Sequence, residues 1–162
     1  MDAKELIERF EALVDRHAMA AARVFAAASV EEAMDGAVEA LEIIEEMTEV
    51  LEELDRAATP DPELGARFFF SLFRFMRVEG DLIAQLEELF AQKLADLFDA
   101  PVSVALDEGH LTVYVARNRS RIAIDMPDEV RAELEELGVE LGKNFSIVIT
   151  DILPGTVFYP QK

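Results

Sequence analysis

A chain of 162 residues, half of them hydrophobic, is long enough to bury one or two cores, and its formal net charge of −19 repels nucleic acid and anionic membrane at long range. It contains no cysteine, which excludes disulfides, thiolate metal sites and cysteine nucleophiles. No basic leader opens the sequence and no apolar run approaches the about 18 residues of a membrane span, so a cytoplasmic protein without membrane contact is expected.

Asp2, followed three residues on by Glu5, predicts a capped helix start, and Leu6, Phe10, Leu13, Val14, Ala21, Val24 and Ala28 then recur on one face. Ser29 and Glu32 repeat the capping pattern. They open a second predicted helix with Val30, Met34, Ala37, Leu41, Ile44, Met47, Leu51 and Leu54 inward and an almost solid carboxylate surface outward. The segment ATPDPE, residues 58–63, ends that helix, and Asp61 before Pro62 supplies an N-cap and a first-turn proline for the next.

The third helix, residues 64–98, holds seven of the eleven phenylalanines. Between Phe68 and Met76 only Ser71 and Arg74 are not large hydrophobes, a wider apolar surface than one amphipathic face needs. The segment therefore requires an enclosing neighbour, and Phe68, Phe69, Phe70, Phe73 and Met76 are the predicted dimer interface. A continuous helix would be about 55 Å long, against a radius of gyration of about 13 Å for a hundred-residue domain. Either it breaks near Gly80 or it projects into a second subunit.

After Asp99, Ala100 and Pro101 the pattern changes to period two. Val102, Val104, Leu106; Leu111, Val113, Val115; and Ile122, Ile124, Met126 predict three strands joined by turns at 107–109 and 117–120. Pro127 opens a short helix ending at Gly138, Phe145 to Thr150 reads as a strand, and Pro154-Gly155 turns into a last strand, 156–159. The expected fold is α+β: an acidic N-terminal bundle of three or four long helices, residues 1–100, followed by a small β-β-β-α-β-β domain, residues 101–162. Its one helix covers one sheet face and leaves the other for a partner. Residues 1–100 hold 24 acids and 9 bases (−15) and residues 101–162 hold 10 and 6 (−4), so the acidity is concentrated in the helices.

Few residues suggest chemistry. His17 sits at the centre of the first helix's apolar face and Glu79 on the apolar side of the third, where an unpaired carboxylate is disfavoured. Either the helix breaks at Gly80 and Glu79 points to water, or Glu79 makes a buried contact with His17 or an arginine. Glu45, Glu46, Glu49, Glu52, Glu53 and Asp55 resemble half of the paired E-x-x-E and E-x-x-D sets with which helical nucleotide pyrophosphohydrolases hold Mg²⁺, but the facing set is absent. No catalytic or metal site and no cofactor is expected. Arg117, Arg119 and Arg121 form the one local basic cluster, suited to phosphate or carboxylate.

From this cluster onward two resemblances appear. Residues 121–153, RIAIDMPDEVRAELEELGVELGKNFSIVITDIL, with strand, proline, acidic helix, Gly142 and Ser146, resemble a ribbon-helix-helix DNA-binding domain. That likeness implies a second helix capped by Ser146, and Arg121, Ala123 and Asp125 on the groove-facing side of the strand. Residues 111–159 also resemble the swapped-hairpin AbrB-type domain, of β-β-α-β-β order, with two extra residues, Asp125 and Met126, before Pro127 and a longer helix. Both families are dimeric DNA binders, which implies dimerisation and contacts from Arg117, Arg119 and Arg121. The acidity favours a different first expectation: a non-enzymatic oligomer whose helical domain dimerises and whose small domain engages a protein partner. A DNA-binding regulator comes second and a Mg²⁺-dependent hydrolase third.

Overall fold

The structure is a computed structural model that describes residues 2–57, 61–107, 110–117, 132 and 144–161, with Asp107, Asn144 and Phe145 defined by their backbone. Among the described residues the elements are three helices, α1 (Ala3–Phe25), α2 (Val30–Arg56) and α3 (Pro62–Phe98), and three strands, β1 (Val102–Asp107), β2 (His110–Ala116) and β3 (Asn144–Thr150). The class is α+β. The strand expected at 122–126 and, apart from Ala132, the helix expected at 127–138 lie outside the described residues.

The chain forms two compact units, residues 1–27 with 31–82, and residues 28–30 with 83–162. The boundary falls inside α3 rather than at residue 100. The change of hydrophobic period at Pro101 marks a change of secondary structure and not the edge of a core. Leu86, Phe90, Leu94 and Phe98, on the second half of α3, are buried in the second unit together with Val102, Leu111, Val113 and Val115.

In the first unit, α1 begins where the Asp2 carboxylate accepts the Glu5 N–H at 2.9 Å, satisfying a donor that the first helical turn cannot. Leu6, Phe10, Leu13, Val14, Ala21 and Val24 are buried as the spacing predicts, with Ile7, His17 and Ala20 beside them. Ala28 is exposed, because the helix ends at Phe25. On α2 the buried face is rotated from the expected one. It carries Val30, Ala33, Met34, Ala37, Ala40, Ile43, Met47 and Val50, while Leu41, Ile44, Leu51 and Leu54 are half-buried. The cause is a close helix approach: a Cβ on Gly36 would stand 2.9 Å from the Ala20 carbonyl oxygen and 3.1 Å from Val24 Cγ2. Small side chains, which a search for large apolar residues passes over, line that contact.

α3 starts as its sequence predicts, with Asp61 Oδ1 accepting the Leu64 N–H at 2.9 Å and Pro62 in the first turn. It does not break at Gly80 but runs as one helix of 37 residues. A helical glycine costs roughly 1 kcal/mol, less than the burial of the flanking Leu82 and Leu86 contributes. The helix closes on Asp99, whose φ of 50° is left-handed, with the Ala100 N–H reaching the Ala95 carbonyl at 3.3 Å.

In the second unit the sheet order is β1-β2-β3, with β1 antiparallel and β3 parallel to β2. Leu111, Val113 and Val115 are fully buried, whereas Thr112, Tyr114, Ser146 and Val148, on the opposite face, are half-buried or exposed. The final strand expected at 156–159 is reduced to a single bridge, Val102 with Phe158, closed by two hydrogen bonds of 2.8 and 2.9 Å. Gly155 takes φ 70°, the freedom that a turn after Pro154 requires.

Candidate functional site

Project α3 at 100° per residue and Phe69, Phe73 and Met76 fall within about 60° of one another, with Phe70 on one flank. All four are exposed: Phe69 by 58%, Phe70 by 76%, Phe73 by 66% and Met76 by 58%. Phe68 and Phe75 point the other way. The ring centroid of Phe68 lies 5.2 Å from that of Phe10, and the edge of Phe75 meets His17 with centroids 4.7 Å apart. The aromatic run thus divides, one side packing on α1 and the other left to solvent within its own chain. Phe68 therefore does not belong to the exposed set.

The arginines bordering this surface are mostly engaged. Arg67 donates to both Glu11 oxygens, at 2.5 and 3.4 Å, and that bonded carboxylate raises the guanidinium above its ordinary value. Arg74 is bonded to Asp15. Among the described residues Arg77 and Glu63, both exposed, form no ion pair.

Behind this face, Glu79 Oε2 lies 2.6 Å from His17 Nε2, so the ring N–H donates to the carboxylate. The imidazole is fully buried and the Glu79 side chain is 22% exposed. Among the described residues Nδ1 of His17 has no hydrogen-bond partner. Two residues that the sequence places on separate apolar faces are here in contact, tying α1 to α3 at mid-helix.

The carboxylate face of α2 is solvated. Glu46 bonds Arg16 at 3.1 Å, and among the described residues no group of three or more His, Asp or Glu side chains converges as a metal ligand set. Of the basic cluster, Arg117 is exposed and its Nε stands 3.7 Å from Asp151 Oδ1; Arg119 and Arg121 lie outside the described residues. Ser146, where the ribbon-helix-helix pattern implies a helix start, sits inside β3, its hydroxyl 2.9 Å from His110 Nε2. The sheet unit also carries a cleft of about 680 Å³ lined by Glu87, Glu88, Val104, Tyr114, Thr156 and Phe158 among others. Composition had given no signal for it, since its walls come from the helix, β1, β2 and the C-terminal segment.

No helix among the described residues is long and apolar enough to cross a membrane. No protein-family model matches the chain, and neither the curated proteins nor the solved structures include a match to it.

Proposed function

We propose that this chain is a non-enzymatic self-associating protein, in which the exposed face of α3 docks a second copy and the sheet unit is free to engage a protein partner. One observation carries the reading: Phe69, Phe70, Phe73 and Met76 form a continuous apolar surface on a helix whose other side is packed. Grouped large apolar side chains of this kind mark interaction surfaces, whereas single exposed ones are ordinary. The net charge of −19 works against nucleic acid and anionic lipid as the occupant and leaves protein. The half-open sheet face, with Thr112, Tyr114 and Val148 beside the cleft, supports the second role.

The test is Phe70→Glu with Phe73→Glu in the full chain. These side chains are largely exposed within the chain, Phe70 by 76% and Phe73 by 66%, so the fold should survive by circular dichroism while the molar mass by light scattering falls to that of one chain. A native chain that already elutes as a monomer at about 100 μM, or a double variant of unchanged mass, would refute the assignment.

A further inference from the structure

Glu63, Phe70 and Arg77 are spaced seven residues apart on α3, so they lie almost in line along one flank of the apolar stripe, drifting by only ~20° per heptad. All three are exposed, Phe70 most of all the large hydrophobic residues of α3. The acid and the base thus stand about 10.5 Å before and after Phe70. Neither is within ion-pair distance of a partner among the described residues, and Glu63 acts on Arg67, one turn further on, only through its charge, Arg67 being bonded to Glu11.

From this arrangement, and resting on the self-association proposed above, we infer that two copies pair through α3 in antiparallel orientation about a two-fold axis at Phe70, with Glu63 of each copy against Arg77 of the other. A two-fold axis perpendicular to the plane of two antiparallel helices brings the same flank of each together. Position 70 then meets position 70, and position 63 meets position 77 twice. The surface is then complementary to itself in charge. A parallel pair brings opposite flanks together. Glu63 would face the side of Gly65 and Leu72, with no cation, and Arg77 would face the side of Glu79, whose carboxylate His17 holds. For a chain of net charge −19, two local ion pairs also offset the long-range repulsion between copies at the one place where contact is made.

The absence of native cysteine permits a direct test in the full chain. Glu63→Cys and Arg77→Cys are made separately, one with a mass tag, and treated with a short bis-maleimide alone and mixed. Antiparallel pairing predicts a cross-linked species only in the mixture. Cross-links within either variant alone, or none in a mixture that sediments as a dimer, would overturn the register while leaving self-association standing. Monomers at every concentration would overturn both. Charge exchange gives a second reading. Glu63→Lys and Arg77→Glu should each raise the dimer Kd about tenfold, and the two together should restore it to within about twofold. Glu63→Lys moves the net charge from −19 to −17, so a purely long-range effect would tighten the dimer. Tightening by Glu63→Lys, or failure of the double exchange to restore affinity, would count against the pairing.

Discussion

Removing the acceptor from the His17–Glu79 bond should cost more than removing the donor. Glu79→Leu leaves a fully buried imidazole whose other nitrogen already lacks a partner, so the ring N–H loses its only acceptor among the described residues. An orphaned buried donor costs about 1–3 kcal/mol. His17→Leu leaves a carboxylate whose side chain is 22% exposed, and water reaches it, so about 1 kcal/mol is expected. Changing both replaces the pair with apolar contact against Phe75 and should cost no more than Glu79→Leu alone. The expected coupling is about 1–2 kcal/mol. Opening free energies from hydrogen exchange of the slowest α1 amides, at fixed protomer concentration, would measure each corner of the cycle. Effects that add to within about 0.3 kcal/mol would show that the bond contributes nothing to joining α1 and α3, and the reasoning would fail.

The two helical glycines should respond with opposite signs. Gly36→Ala places a methyl 2.9 Å from the Ala20 carbonyl oxygen, forcing α1 and α2 apart, and should destabilise by about 1–3 kcal/mol in urea unfolding. Gly80→Ala meets nothing within 4 Å inside a continuous helix and should stabilise by about 0.5–1 kcal/mol. Duplex DNA at low salt should not bind, given the net charge and the ion pair of Arg117 with Asp151. Salt-dependent binding lost on Arg117→Ala would favour the regulator reading instead.

What could be read from the sequence was local. The caps at Asp2 and Asp61 and the period-two strands β1 and β2 depend on neighbouring residues alone, and they stand close to where the pattern puts them. What escaped depended on contacts between distant segments. α2 turned its Ala33, Gly36, Ala40 side inward because α1 comes close there, and no count of large hydrophobes reveals that. α3 passed through Gly80 because burial on both sides outweighs one glycine, and the unit boundary fell at residues 82–83 because the end of the helix packs with the sheet. His17 and Glu79 were legible as residues in need of a partner, since each is polar on an apolar face. The division of the phenylalanines was not legible, because a run apolar on nearly every side does not say which side its own chain will cover. For the same reason a cut at residue 100 would not isolate the helices: Phe90, Leu94 and Phe98 would lose the strands of their unit.

Sedimentation equilibrium of the unmodified full chain between about 1 and 100 μM bears most directly on whether a second copy covers the exposed face of α3. Each chain has a mass of 18.1 kDa, so pairing through Phe70 requires the weight-average mass to rise toward 2 × 18.1 = 36.2 kDa with concentration. A mass that stays at 18.1 kDa throughout the range would contradict the account.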